Sequence, residues 1–209
     1  PSRLKDKSER LAYWINGYNA AVVEGVLRSY KGDTTYKVTD SGTFFDSAAF
    51  GFTFGGVVLT LNQVENGVLR GVWTHAGVKA ADGATLARMK TWHRELWGSG
   101  KVDARFHAAV NCAALGCPNL TATAPYVFRA STLESQLKAA VTAWLDNADK
   151  GAGAGGISKL FDWYKDDFVQ DAGSVEAFIK GNRTGGISGV KLETFLSYDW
   201  TLNHKANKK

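Results

Sequence analysis

The chain has 209 residues, 44% apolar and 22% charged, enough to bury a core that needs neither a metal nor a disulfide to close it. Its formal net charge of +5 comes from scattered Lys and Arg, apart from a Lys205-Ala-Asn-Lys-Lys209 end, and no nucleic-acid motif accompanies it. With no run near the ~18 apolar residues of a membrane helix, these properties exclude a nucleic-acid reader and a helical membrane span. They predict one domain over 1–209 with a solvated basic tail at 204–209.

The first predicted element is a long helix from about Lys5 to Tyr30. Leu11, Ile15, Tyr18, Val22 and Val26 recur at steps of three and four and form its apolar stripe. Asn19 lies beside Tyr18 on that stripe, with Asn16 one turn earlier. A buried amide without partners costs about 1–3 kcal/mol, so each must brace another segment's backbone or face a cleft. Bracing is the commoner fate of such side chains.

From Asp40 to Leu61 the Gly-, Phe- and Val-rich sequence predicts a loop running into a short strand at Val57-Val58-Leu59. Thr60-Leu-Asn-Gln63 and Asn62-Gln-Val-Glu65 both have capping-box spacing, which starts a helix reaching about Arg70. Trp92, Leu96 and Trp97 mark a further helix from about Thr85. Between Arg105 and Cys112, apolar Phe106, Ala108, Val110 and Cys112 alternate with Arg105, His107, Ala109 and Asn111. That is a strand pattern, although Asp103 can equally cap a short helix. Residues four apart share a face at either period, so His107 and Asn111 are expected to look the same way.

Ser131-Thr-Leu-Glu134 is a third capping box, opening an amphipathic helix on Leu133, Leu137, Val141, Trp144 and Leu145. Gly151-Ala-Gly-Ala-Gly-Gly156 lacks the Gly-Lys-Ser/Thr ending of a phosphate-binding loop and reads as a flexible connector. An aromatic cluster (Phe161, Trp163, Tyr164, Phe168), a short helix over 174–180 and a late strand over 190–196 follow. The fold class is α+β, with several helices around a small, mostly antiparallel sheet. Asp166 and Asp167 adjoin, point apart, and cannot form an acid–base pair.

Chemistry is concentrated between Asp103 and Pro118, which holds Arg105, His107, Asn111 and both cysteines, Cys112 and Cys117. A thiol with pKa near 8.5 attacks slowly until an imidazole or a helix N-terminus stabilises its thiolate. His107 is the candidate base, with Glu65 or Asn111 to orient its ring as in Cys-His-Asn hydrolases. Cys112 needs a turn at Asn111 to reach the ring. Cys117, ahead of Pro118, is placed to be a helix N-cap, where the dipole lowers a thiol pKa. The two sulfurs can instead be bonded to each other, because Ala113-Ala-Leu-Gly116 is long enough to bring the Cα atoms within ~4.4–6.8 Å. No Cys-x-x-Cys pair supports a metal site, and no cofactor is expected.

Taken in order, Leu11–Ala20, Leu59–Arg70, Asp103–Pro118, Leu160–Phe168 and Tyr198–Asn203 resemble the domain of unknown function 547 family. The resemblance implies one domain and carries over Asn16, Asn19, Glu65, Arg70, Arg105, His107, Asn111, Cys112 and Cys117 as polar positions. It implies no activity. Asn66 stands where the family usually has His, which removes one candidate base, and Ala104 where it usually has Pro.

Two functions fit these residues. One is a cysteine-dependent hydrolase or acyl transferase acting on an amide or thioester. Its catalytic residues are His107, Cys112, Cys117 and Glu65, and Asn16, Asn19, Arg70, Arg105 and Asn111 bind substrate. Its papain-like or transglutaminase-like layout is fold-level analogy. The other is a non-catalytic module that binds a small molecule or peptide in a groove of Trp14, Tyr18, Trp163 and Tyr164, with Cys112 and Cys117 bridged. Neither takes nucleic acid, and no protein partner is indicated. An exported protein, periplasmic or secreted, is favoured over a cytoplasmic one, because the chain opens on Pro1 rather than Met and a leader can have been removed.

Overall fold

The structure is a computed structural model that describes residues 3–40, 42–47, 52–120 and 127–207. Positions 41 and 48–51 of the expected loop, and Lys208 and Lys209 of the basic tail, lie outside the described residues.

Helix α1 runs Lys7–Ser29, started by the Asp6 side chain, which accepts the Glu9 N–H. Its buried face carries Leu11, Trp14, Ile15, Tyr18 and Val22, each fully withdrawn large side chain contributing roughly 1.5–3 kcal/mol. Trp14 stacks on Phe54 at 5.5 Å, and Phe54 closes the hairpin of β1 (Phe52–Phe54) and β2 (Val57–Leu59), paired Phe52 to Leu59. Trp14 therefore belongs to the core rather than to a groove.

After β2 the Thr60 hydroxyl accepts the Gln63 N–H at 3.2 Å while Gln63 Oε1 accepts the Thr60 N–H at 3.0 Å, a completed capping box. The helix it starts is wound as a π-helix over Gln63–Leu69, with the Arg70 N–H reaching back five residues to the Glu65 carbonyl at 3.0 Å. The overlapping Asn62–Glu65 box does not close, because the Glu65 carboxylate turns inward and accepts the Tyr18 hydroxyl at 2.7 Å. The π-helix is buried end to end. Helix α2 (Ala76–Lys79) and helix α3 (Gly83–Trp97) pack against it.

The stretch from Asp103 takes the helical alternative. Asp103 caps a 3-10 helix over Ala104–Ala108 by accepting the Arg105 N–H at 3.1 Å. The helix ends at Ala108, before Asn111, so no single periodicity carries His107 and Asn111 to one face as expected. A 3-10 turn, Ala130–Thr132, leads into α4 (Leu133–Leu145). Here Glu134 pairs with Arg105 instead of closing the third box.

The glycine run is not a flexible connector. It folds into a buried hairpin of β3 (Ala152–Gly153) and β4 (Gly156–Ile157). Gly156 has φ +141°, and a Cβ there would lie 2.5 Å from the Thr194 carbonyl, so the glycine permits close backbone approach. The expected sheet is thus two separate two-stranded hairpins in an α+β fold. Residues 190–196 contribute a single parallel bridge, Phe195 to Ile157, instead of a strand.

Helices α5 (Leu160–Trp163), α6 (Lys165–Ala172) and α7 (Val175–Asn182) complete the order, the last capped by Ser174. One core cluster extends from Leu11 to Ile179. A smaller one joins Val38, Ala114, Cys117 and Leu202 beneath the C-terminal segment. Among the described residues, no helix is long and apolar enough to cross a membrane.

Candidate active site

Cys112 sits on a turn whose shape is imposed by side-chain amides. Asn19 on α1 donates to the Ala109 carbonyl at 2.9 Å and accepts the Asn111 N–H at 2.8 Å. Asn111 in turn accepts the Ala113 N–H at 2.8 Å and donates to the Pro118 carbonyl at 2.6 Å. Ala113 has φ +66°, the one left-handed non-glycine residue among the described residues, a conformation costing about 1–2 kcal/mol. The C-terminal segment holds it there: the Asn203 N–H donates to Ala113, while Leu115 and Gly116 donate to Thr201 and Asp199.

This turn brings the Cys112 sulfur within 3.0 Å of the Tyr198 hydroxyl, while the Cys112 N–H donates to the Cys117 sulfur at 3.2 Å. Hydrogen bonding from Cys117 first, then from Tyr198 and the Ala114 N–H, holds the Cys112 thiol below its ordinary pKa. Burial and the nearby Glu65 carboxylate push the other way. Burial drives the Cys117 thiol well up, so it stays protonated.

A cavity of about 130 Å³ opens beside Cys112. Tyr18, Glu65 and His107 are its buried floor, Tyr164 a half-buried wall, and Trp163, Tyr198 and Trp200 its rim. The rim rings interlock, with Trp163 4.9 Å from Tyr198 and 5.7 Å from Trp200. The Glu65 carboxylate lies close enough to Tyr18 and Tyr164 to drive both hydroxyls, already raised by burial, well above their ordinary pKa.

His107 Nε2 lies 2.8 Å from Asp167, and Arg70 Nε binds the same carboxylate oxygen at 2.6 Å. Both cationic candidates also lie on the Tyr164 ring, His107 stacked at 4.4 Å and the Arg70 guanidinium 4.5 Å from its centroid. Burial holds the imidazole below its ordinary pKa despite Asp167, which favours the neutral ring. Arg70 therefore supplies the counter-charge to Asp167, and neutral His107 donates its Nε2–H, leaving Nδ1 as the basic nitrogen.

The structure brings Glu65, His107, Cys112 and Cys117 to one cavity and disperses the other expected site residues. Asn16 braces Phe128, accepting its N–H at 2.9 Å and donating to its carbonyl at 2.8 Å. Asn19 and Asn111 brace the cysteine turn and border a separate groove along α1. Arg70 is committed to Asp167 and to Asn66. Arg105 points away to Asp103 and Glu134, whose bonds raise its pKa. The Glu134 side chain is 79% exposed but that of Asp103 only 17%, so Arg105→Ala is expected to cost about 1–2 kcal/mol in chemical denaturation, mostly through Asp103, and to leave Cys112 alkylation unchanged.

Two expectations about the cysteines are corrected. Cys112 and Cys117 are free thiols rather than a disulfide, the Cys117 sulfur being occupied as acceptor for the Cys112 N–H. Nor is Cys117 a helix N-cap, because residues 118–120 are not helical and offer it no dipole.

Sequence reasoning missed Asp167 and Tyr198. Adjacency to Asp166 argued against an acid–base pair, yet α6 exposes Asp166 and buries Asp167 toward His107. The available signal was position: both residues fall in blocks that carry the family resemblance.

No curated protein and no solved structure matches the chain. The family model described as "Protein of unknown function, DUF547" matches residues 1–145, a span that includes Tyr18, Glu65, His107, Cys112 and Cys117 and ends before Trp163, Asp167 and Tyr198. With that match covering most of its 209 residues, the chain belongs to the DUF547 family.

Proposed function

We propose that the protein is a cysteine-dependent hydrolase or acyl transferase acting on an amide or thioester, with Cys112 as nucleophile. One observation carries the reading: the Cys112 sulfur borders an aromatic cavity from a strained turn, with the Tyr198 hydroxyl at 3.0 Å. A sulfur held against several donors is one whose thiolate is stabilised before substrate arrives.

In this reading Cys112 Sγ attacks the substrate carbonyl carbon, forming a C–S bond and a tetrahedral oxyanion. Collapse breaks the bond to the leaving amine or thiol. His107, which lines the same cavity, is assigned to take the proton lost by Cys112, directly or through one water, and to pass it to that leaving group. Water or an amine then attacks the acyl thioester and gives a proton to His107; the C–S bond breaks, and His107 returns the proton to the sulfur to restore the thiol. Asp167 keeps the proton on Nε2 and so fixes the tautomer. Cys117 and Tyr198 are positioning residues for the sulfur.

Alkylation by iodoacetamide across pH, mapped by mass spectrometry, tests the assignment. Cys112 is expected to label with a half-maximal rate below pH 8.5, and Cys117 to stay unlabelled in the folded protein. Tyr198→Phe removes a donor to the sulfur and is expected to slow Cys112 labelling near neutral pH by about tenfold. An ordinary thiol profile at Cys112, or faster labelling of Cys117, overturns the reading.

A further inference from the structure

We propose that the cavity beside Cys112 takes an alkylammonium group, seated on Glu65 and enclosed by Tyr18, Tyr164, Trp163, Tyr198 and Trp200. For the fate of the ligand this rests on the acyl-transfer reading, in which the ammonium-bearing molecule is the substrate. For the binding itself it rests on charge and shape alone.

Glu65 is 8% exposed, and its hydrogen bonds come from neutral hydroxyls, Tyr18 at 2.7 Å and Tyr164. Among the described residues no Lys, Arg or His lies within ion-pair distance of it. The two nearby groups that could have matched its charge are spent on a different carboxylate, Arg70 at 2.6 Å and His107 at 2.8 Å from Asp167. A withdrawn carboxylate of this kind is expensive to keep ionised without a positive partner. Here the missing partner has a place to sit, because Glu65 faces a cavity rather than packed core.

The rest of the lining selects the same chemistry. Ring faces carry negative quadrupole potential and attract cations, most strongly when the site is partly desolvated. An anion would meet both the carboxylate and the rings unfavourably, and a neutral group would leave Glu65 uncompensated. Size narrows the choice further. About 130 Å³ is close to the roughly 150 Å³ that accommodates a benzene-sized molecule, which suits an ammonium head and its first methylenes but excludes a sugar or a nucleobase with its ribose. Trp163, 39% exposed, stands at the mouth, so the remainder of the ligand extends outward past Cys112.

Calorimetric titration with two matched pairs tests this: butylammonium against butan-1-ol, and choline against its neutral isostere 3,3-dimethylbutan-1-ol. At least one cation is expected to bind roughly tenfold or more tightly than its neutral partner. Glu65→Gln, which keeps an acceptor for Tyr18, is expected to erase that difference. Trp163→Leu at the mouth is expected to weaken cation binding several-fold without lowering the melting temperature, and serves if the Glu65 variant does not fold. Equal affinity within both pairs, binding of neither cation, or an unchanged preference in a folded Glu65→Gln overturns the proposal. Thiol labelling is read without ligand and calorimetry without alkylation, so failure of the Cys112 assignment and failure of cation binding are separate results.

Discussion

Replacing Asp167 with Ala is expected to lower folding stability by about 3–5 kcal/mol, the range for removing one partner of a buried charge pair. The carboxylate serves Arg70 and His107 together, whose side chains are only 10% and 1% exposed, so the variant strands a guanidinium and a ring N–H away from water. Urea unfolding followed by tryptophan fluorescence measures the loss. Asp167→Asn keeps an acceptor and the side-chain volume and is expected to lose less. A loss below about 1 kcal/mol in Asp167→Ala would show that water replaces the carboxylate.

The same cluster makes the fold acid-sensitive. Burial holds His107 below its ordinary pKa of 6.5, so the unfolded chain takes up this proton first and stability declines as pH falls from about 6.5 toward the folded value. Burial pushes the Asp167 carboxyl up, but its bonds to His107 and Arg70 outweigh that and hold it below its ordinary 3.8. Its contribution is therefore present above about 3.9 and is lost as pH drops through the folded value. Both groups act in one direction, and the wild-type protein is expected to melt at steadily lower temperature from pH 7 downward. In Asp167→Ala the lower part of that slope, below about pH 4, should flatten.

Asn19→Ala is expected to cost about 3 kcal/mol and to slow Cys112 alkylation as well. The side chain satisfies two buried backbone groups, the Ala109 carbonyl at 2.9 Å and the Asn111 N–H at 2.8 Å. Each orphaned group costs about 1–3 kcal/mol. The Asn111 N–H also begins the chain of bonds that keeps Ala113 left-handed, so its loss should relax the turn and move the sulfur from the Tyr198 hydroxyl. Asn19→Asp keeps the acceptor for Asn111 but sets an unpaired buried carboxylate oxygen against the Ala109 carbonyl, and is expected to cost at least as much stability as Ala. Full loss of stability with unchanged alkylation would separate Asn19 from the cysteine turn.

Local chemistry was legible wherever a side chain acts within a few residues of itself. The stripe Leu11–Ile15–Tyr18–Val22 marked α1, and Thr60 with Gln63 marked the start of the next helix, because periodicity and capping are properties of neighbouring positions. The bracing role of Asn16 and Asn19 was also legible, since a polar side chain on an apolar stripe must find a partner. Two local expectations failed for tertiary reasons. Glu65 and Glu134 had the spacing to cap their own helices, but a tyrosine hydroxyl and a guanidinium from elsewhere in the chain took them. The glycine run looked like a tether because close packing against residues 194–196 leaves no trace in its composition.

The residue types of the candidate site came from the sequence alone: two thiols, an imidazole, a carboxylate and abundant aromatic rings, with the family's blocks around them. Which of these meet was decided by tertiary structure. Tyr18, Glu65, His107, Asp167 and Tyr198 lie on five segments separated by tens of residues, and only packing puts the imidazole on Asp167 and the Tyr198 hydroxyl on Cys112. Spacing rules reach as far as one helix or strand, whereas a buried charge chooses its partner from whatever the whole core brings within hydrogen-bond distance.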